Sequence, residues 1–372
     1  MINPKEPHFG VDTRNRTCPR GRAAAPSRWQ RSGLTRPAAA PLLGAMTSPR
    51  QIPANPAVWA LLDDRAGNRS QVLGVAEALG LRFQVQELAY TPAAALPNFF
   101  VGASFAGLTA SSRVNLVAPW PDLVIAAGRR TAPVARKIKK DSAGQAVLVQ
   151  IMYPGDAGAD EFDLIAAPRH DSIGPRPNLI EVTGAPHRVT PAKLAEAAGQ
   201  WQGRFDHLPH PWIAVIVGGS SKRRTFSAEM ARDMGRTVSA MAARAGGSLL
   251  ITTSRRTGEA EGPLFEEITV PHFAFRWGDA GDNPYFGFLA LADAVVVTGD
   301  SASMASEACA TPGPVYIYAP KALTPFKLAK LHAELFQGGF ARPLADNLEA
   351  WTHPPLNTAI DIAQEIRRRF GA

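Results

Sequence analysis

Val295 to Tyr318 reads VVVTGDSASMASEACATPGPVYIY: a strand, a tight turn, a helix, a second turn and a strand. The β-branched run Val295–Val297 predicts a strand buried on both faces. Thr298-Gly299-Asp300-Ser301 is a turn of small and polar residues, and either Ser301 or Ser303 can cap the helix that follows. Pro312, Gly313 and Pro314 stop that helix before the next strand, Val315–Tyr318. Open α/β sheets bind ligands outside the carboxyl ends of their strands. A helix start with small hydroxyls there suits a phosphate. Glu307, about one helical turn beyond Ser303, can accept hydrogen bonds from two adjacent sugar hydroxyls. Diphosphate on Asp300, Ser301, Ser303 and Met304 with ribose on Glu307 makes a nucleotide site. The plainer reading is an ordinary turn followed by a surface Glu.

Two earlier loops in the same half repeat the pattern. Trp212–Val217 (WIAVIV) is an apolar strand that runs into Gly218-Gly219-Ser220-Ser221-Lys222-Arg223-Arg224-Thr225, and a helix is expected over Ser227–Arg244. Gly-Gly-Ser lets backbone N–H groups approach a phosphate. The spacing is neither that of the Walker loop nor the full dinucleotide fingerprint. Leu249–Thr253 is the next strand, with Ser254-Arg255-Arg256-Thr257 at its end. Pro271–Phe275 is a further strand, and Pro284–Leu291 is a short helix leading into the central strand. Three loops at three strand ends thus carry phosphate-compatible groups.

The first half follows the same plan. Val58–Leu62 is a strand, Asp63-Asp64-Arg65-Ala66-Gly67-Asn68 a polar turn, and Gln71–Leu79 a helix ended by Gly80. Asp63 and Asp64 stand where a catalytic carboxylate would project, although one of them can instead cap the helix. Strands follow at Leu81–Leu88, Pro121–Ala126, Val147–Ile151 and Leu164–Ala166, the sheet ending near Val182. Gly128-Arg129-Arg130-Thr131 follows the third strand, where arginines can meet an anion. A helix over Pro191–Trp201 precedes a linker, Gly203–Pro211. Strands alternating with helices imply right-handed crossovers and parallel sheets.

With 372 residues there is room for two domains. The formal charge of +8 is concentrated at the start: nine of the 40 Lys/Arg and two of the 32 Asp/Glu lie in residues 1–50, leaving 31 against 30 in the body. The body is nearly neutral, so charge does not single out a nucleic-acid partner. Residues 1–55 read as an Arg/Pro/Ala-rich tail, or as upstream sequence before a true start at Met46. Cys18 and Cys309 are the only cysteines, which gives no disulfide framework and fits a reducing cytoplasm. Neither zinc spacing nor an Asp-x-Asp pair is present, so no metal site is expected. Leu88–Ser112 carries no charged residue, but its prolines, glycines and hydroxyls argue against a membrane span. Leu96–Val101 can form an exposed apolar patch that touches a bilayer surface.

Two Rossmann-like α/β domains facing across a cleft, with the ligand loops in the second, describe a GT-B-like architecture. The segments LLDDRAGNRSQ, PWPDLVIAAGRR, GGSSKR, TTSRRT, NPYFGFLALADAVVVTGDSASMASEA and PGPVYIY resemble the elongated-mitochondria fission family, whose bacterial members are regarded as glycosyltransferases. The resemblance covers roughly residues 58–320. TGDSASMASE is also similar to the nucleotide-sugar loop of the N-acetylglucosaminyltransferase that makes the peptidoglycan lipid precursor. That similarity implies ribose at Glu307 and diphosphate at Ser301–Met304.

The resulting expectation is a metal-independent glycosyltransferase, with the nucleotide sugar as substrate rather than cofactor and an acceptor that is lipid-linked or from the cell envelope. Residues 56–205 would hold the acceptor and 211–350 the donor, and a helix in 351–372 would cross back to the first domain. Gly218, Gly219, Ser220, Ser221, Lys222, Ser254, Arg255 and Arg256 would join Asp300–Glu307 around the nucleotide. Arg65, Gly67, Asn68, Gln71, Gly128 and Arg129 would line the acceptor side, with Asp63 or Asp64 as general base. The location expected is cytoplasmic, at or near the inner membrane. Two alternatives are a non-catalytic adaptor at a membrane surface with an inert nucleotide pocket, and a nucleotide-sugar epimerase. The latter needs acids and bases around the sugar, and the sequence displays no such cluster.

Overall fold

The computed structural model describes residues 50–371. In the first half, β1 (Val58–Leu62), β2 (Phe83–Glu87), β3 (Leu123–Ala127), β4 (Val147–Ile151), β5 (Leu164–Pro168) and β6 (Leu179–Val182) form a parallel sheet in the order β2-β1-β3-β4-β5-β6. In the second, β7 (Trp212–Val217), β8 (Ser248–Thr253), β9 (His272–Phe275), β10 (Ala294–Thr298), β11 (Val315–Tyr318) and β12 (Arg342–Pro343) form a parallel sheet in the order β12-β11-β10-β7-β8-β9. The apolar runs seen in the sequence are the inner strands: every residue of β1, β3, β7 and β10 is buried. Only helices covering both faces achieve that, and parallel sheets are covered in this way.

The helices are α1 (Ala66–Ala78), α2 (Asn98–Val101), α3 (Ala110–Arg113), α4 (Ala132–Asp141), α5 (Pro191–Trp201), α6 (Ala228–Ala245), α7 (Glu261–Glu266), α8 (Tyr285–Leu291), α9 (Ala302–Ala308), α10 (Phe326–Gln337) and α11 (Thr358–Phe370). On the first sheet, α1 and α11 cover one face and α4 the other. On the second, α5, α8, α9 and α10 cover one face and α6 and α7 the other. The chain therefore folds as two Rossmann-like halves, the GT-B arrangement.

The terminal helix packs on the first half. Ala359, Ile362, Ala363, Ile366 and Phe370 recur at helical spacing and lie against Val72 and Val75 of α1. Asn357 caps α11 by accepting from Ile360 N–H at 3.2 Å, and Arg367 donates to Leu79 O at 2.7 Å, closing the carboxyl end of α1.

Three boundaries differ from expectation. The tail reading for residues 1–49, and Cys18 with it, lies outside the described residues. Residues 50–52 already belong to the fold, for Ile52 is buried and its N–H donates to Phe370 O at 2.9 Å. Helix α1 begins at Ala66 rather than Gln71, because Asp63 draws the preceding turn tight. The expected linker is packed: Phe205 is fully buried, stacked on Trp201 with ring centroids 6.1 Å apart and edge-on to Trp212 and Phe273. Trp201 lies in the second-half core, so α5, expected with the first half, rides on the second. Among the described residues no helix is long and apolar enough to cross a membrane.

Candidate functional site

Each sheet has one point where the strand order reverses. In the first, β1 pairs β2 on one side and β3 on the other; in the second, β7 pairs β8 and β10. Crevices at such points are the ligand sites of open α/β sheets. The turns Asp63–Arg65 and Gly128–Thr131 flank the first point, and Gly218–Thr225 and Gly299–Ser301 the second. The sequence therefore placed its candidate residues at both switch points.

The two halves touch between α1 and α9. A Cβ on Gly67 would lie 3.5 Å from Ser303 Oγ, Ser70 is near enough to Glu307 to act on its carboxyl, and Ser306 Oγ accepts from Ala185 N–H at 2.8 Å. Glu307 is half-buried, and Oε2 accepts from the Tyr285 hydroxyl at 2.5 Å. Burial pushes the Glu307 carboxyl above its ordinary range even though Tyr285 and Ser70 pull the other way. It also pushes the Tyr285 hydroxyl well up. Glu307 is thus a seam residue facing the opposite half. Ser301, rather than Ser303, caps α9, accepting from Met304 N–H at 3.4 Å.

Asp300 ties the second-half loops together. Its side chain is 2% exposed, and Oδ2 accepts from Gly219 N–H at 3.2 Å and pairs with Arg256 at 2.5 Å. Arg256 in turn reaches Met304 Sδ at 3.8 Å. A Cβ on Gly218 would sit 2.3 Å from Asp300 Oδ1, so only glycine admits this approach. The three loops do converge, but their backbone donors are spoken for. Gly218 N–H donates to Thr298 Oγ1 at 2.7 Å, Ser220 N–H to Arg256 O at 2.8 Å and Ser221 N–H to Arg224 O at 2.8 Å. Ser254 Oγ donates to Gly218 O at 2.7 Å. The expected backbone cradle over residues 218–221 is therefore corrected to a self-bonded loop. What this loop offers an anion is side-chain charge. Lys222, Arg223 and Arg255 are exposed, and none has a carboxylate within ion-pair distance among the described residues.

At the first switch point Asp63 is 2% exposed and fully engaged. Oδ1 accepts from Arg65 N–H at 3.0 Å, and Oδ2 from Asn68 Nδ2 at 2.8 Å and Arg130 Nη2 at 3.3 Å. A general base needs a free lone pair aimed at its proton. The carboxylate of Asp63 instead folds the turn. Asp64 is exposed and paired with Arg130, which holds its carboxyl below the ordinary value. Both aspartates line a cavity of about 390 Å³ with Arg69, Glu87, Ser112 and Asn115. Gly128, at φ +82°, packs against Asn68, and Gln71 is buried nearby on α1. Arg65 is exposed.

Of the two neighbouring arginines, Arg130 serves this site. It lies 4.4 Å over the Tyr90 ring and reaches both aspartates. Arg129 leaves the acceptor group: it donates to Leu96 O at 2.6 Å and Ala94 O at 3.0 Å and braces the apolar segment. There Phe99 and Phe100 are 77% and 74% exposed.

A polar cluster that sequence reading missed lies between the turn after β5 and α10. It contains His170 and Asp171 from the first half and Lys327, His332 and Glu334 from the second. The sequence displayed no cluster of acids and bases, and these five side chains from the two halves form one. Pairs more than 150 residues apart leave no local signal. Tyr285 was legible, since it stands in the quoted NPYFGFLALADAVVV.

The family model described as "Mitochondrial fission ELM1" matches residues 66–370. "Mitochondrial fission protein ELM1" of Arabidopsis thaliana is 30% identical over 296 residues, covering 73% of this chain and 69% of that protein. "Uncharacterized protein RP120" of Rickettsia prowazekii (strain Madrid E) is 28% identical over 350 residues, covering 83% and 97%. Among solved structures, UDP-GlcNAc 2-epimerase from Methanocaldococcus jannaschii is similar at a TM-score of 0.49 and 12% identity, covering 84% of this chain and 99% of that one. MurG of Acinetobacter baumannii is similar at 0.47 and 13%, covering 84% and 100%.

Proposed function

The chain belongs to the mitochondrial fission ELM1 family, and from that premise we propose that it is a glycosyltransferase that binds a nucleoside-diphosphate sugar between its halves. The observation that carries this reading is the second switch point. Loops after β7, β8 and β10 meet there around Asp300, with cations on two of them that form no ion pair among the described residues, and Glu307 lies about one turn beyond Ser303. Lys222, Arg255 and Arg256 would stabilise the charge that grows on a departing diphosphate. Glu307, held in place by Tyr285, would accept from ribose hydroxyls with its remaining lone pairs. The acceptor would lie in the cavity beside Asp64, the exposed carboxylate at its rim, while Asp63 and Arg130 keep the turn in shape.

Contact with a bilayer surface is part of the same reading. Phe99 and Phe100 stand in a 25-residue segment without a charge, Leu88–Ser112. Arg129 at its base donates to backbone carbonyls and to the Asn98 amide oxygen rather than to a carboxylate. A lipid-linked acceptor would approach on this side.

A second reading, binding without transfer, is supported by the commitment of both aspartates to Arg130 and by the close seam at Gly67 and Ser303. It fits a non-catalytic adaptor; the Arabidopsis relative is named for mitochondrial fission. One experiment separates the two. The full chain is incubated with UDP-, GDP-, ADP- and CMP-sugars and a bacterial lipid extract, and free nucleotide is measured. Lipid-dependent release supports transfer, saturable binding without release supports the adaptor, and no binding overturns both.

A further inference from the structure

Beyond Asp300 the cleft holds buried polar atoms that no hydrogen bond completes. Asp300 spends Oδ2 on Gly219 and Arg256, but its Oδ1 is buried without a partner. His332, 3% exposed on α10, has Nε2 unpartnered. It stands over Gly299, where a Cβ would lie 2.5 Å from His332 Cε1, so a side chain at 299 would fill the space between the loop and the imidazole. Two residues further along α10, both carboxylate oxygens of Glu334 lack partners. From the first half comes His170, its side chain 3% exposed. Nδ1 is unpartnered and 3.8 Å from Glu334 Oε2. Its Nε2 is 3.6 Å from Asp171 Oδ1, and Lys327 of α10 holds that oxygen at 2.6 Å. Separations of 3.6 and 3.8 Å are too long for hydrogen bonds.

Buried polar atoms are nearly always satisfied in native proteins, and a group of exceptions in one place calls for an explanation. A metal ion does not supply it, for among the described residues no three acidic, His or Cys side chains are placed to hold one. The chemistry of the atoms narrows the choice. Asp300 and Glu334 offer lone pairs and would repel a second anion. Burial depresses His332 to a pKa of about 4, so at neutral pH its ring offers one donor and one acceptor. A neutral ligand with several hydroxyls, each able to donate and accept, matches both kinds of group. Asp300 supplies the position, since the residue that orients Arg256 and Gly219 on the diphosphate side also presents the bare Oδ1.

We propose that Asp300, His332, Glu334 and His170 form the subsite for the sugar ring of the bound nucleotide sugar, its hydroxyls supplying the partners these atoms lack. This rests on the nucleotide-sugar reading above. Three of the residues belong to the second half and His170 to the first, so the ring is gripped from both sides of the cleft and enters when the halves part.

The test is calorimetry on the full chain with UDP, GDP and ADP, each alone and as its glucose and N-acetylglucosamine conjugates. At least one conjugate is expected to bind about tenfold or more tighter than its parent diphosphate. Glu334→Gln and His332→Ala should each bring that ratio below about threefold and leave the parent diphosphate within about twofold of wild type. Glu334→Gln is nearly isosteric and covers the case in which His332→Ala fails to fold. A wild-type ratio near one, or a ratio kept in both variants, overturns the subsite. If a diphosphate binds and Glu307→Gln weakens it, that loss falls on the subsite alone. If the wild type binds no diphosphate, the nucleotide reading and the subsite fall together.

Discussion

The Tyr285 hydroxyl donates to Glu307 Oε2 at 2.5 Å, and Ser70 of the opposite half lies near enough to help hold the carboxyl down against its burial. This places Glu307 in the seam between the halves with its lone pairs already ordered. A ribose arriving there finds an acceptor held in position, so little side-chain entropy remains to be lost. Glu307→Gln keeps the size and removes the charge. It should weaken nucleoside-diphosphate binding at least tenfold, about 1.4 kcal/mol, with the melting temperature nearly unchanged. Calorimetry that returns wild-type affinity would remove Glu307 from the site.

Asp63 and Asp64 should part company on mutation. Asp63 is buried, accepts from Arg65 and Asn68, and pairs with Arg130. Asp63→Asn takes the charge from a buried carboxylate that accepts from Arg65, Asn68 and Arg130. Hydrogen bonds to a charged group contribute about 1.5–3 kcal/mol each, while Arg130 keeps its pair with Asp64. Asp64 is exposed, and an exposed pair contributes no more than about 1 kcal/mol. Thermal melts should therefore show a large drop for Asp63→Asn and a small one for Asp64→Asn. An Asp63→Asn protein that melts like wild type but turns over slowly would restore the general-base role to Asp63.

The two halves were legible because β-branched runs bounded by Gly-rich turns, such as WIAVIV before Gly218-Gly219 and VVVT before Gly299, can hardly be anything but inner strands of a parallel sheet. What could not be read was how polar groups are spent. The Ser220 N–H looks free in sequence, yet it is consumed by Arg256 O, 36 residues away. Asp63 looks like a projecting carboxylate until Arg130, 67 residues on, closes over it. The His170–Glu334 cluster joins residues whose neighbours in sequence have no reason to mark them. Helix α5 misled for a different reason: its position before the linker suggests the first half, but Trp201 stacks on Phe205 in the second-half core.

Phe99 and Phe100 meet edge-on at 5.4 Å and project from α2 with most of their surface in solvent. Fully burying one Phe contributes about 1.5–3 kcal/mol, so even partial insertion of two is measurable. Sedimentation with phosphatidylcholine vesicles, with and without phosphatidylglycerol, should show the full chain on the anionic vesicles. Binding should fall as salt is raised, since screening weakens the arginine contribution. Phe99→Ser with Phe100→Ser should reduce binding about tenfold or more at an unchanged melting temperature. Equal partitioning of the double variant would assign these rings another role.

His187 gives a pH dependence that requires no ligand. It is 1% exposed in the segment between β6 and α5, and its Nε2 donates to Leu356 O at 3.0 Å, beside a backbone so close to α1 that a Cβ on Gly74 would lie 2.5 Å from His187 O. Burial is the main reason its pKa falls from 6.5 to about 4. The fold therefore holds the imidazole neutral, whereas the unfolded chain takes up a proton near pH 6.5. The contribution of His187 is fully present above that pH and is lost as pH falls from 6.5 toward 4. The whole effect is roughly 3 kcal/mol. His187→Gln retains a donor toward Leu356 and cannot be protonated. Its denaturation midpoint should fall less steeply than that of the wild type between pH 7 and pH 4.5, even if it starts lower. Parallel slopes for the two proteins would show that His187 takes up its proton over the same pH range in the folded chain as in the unfolded one.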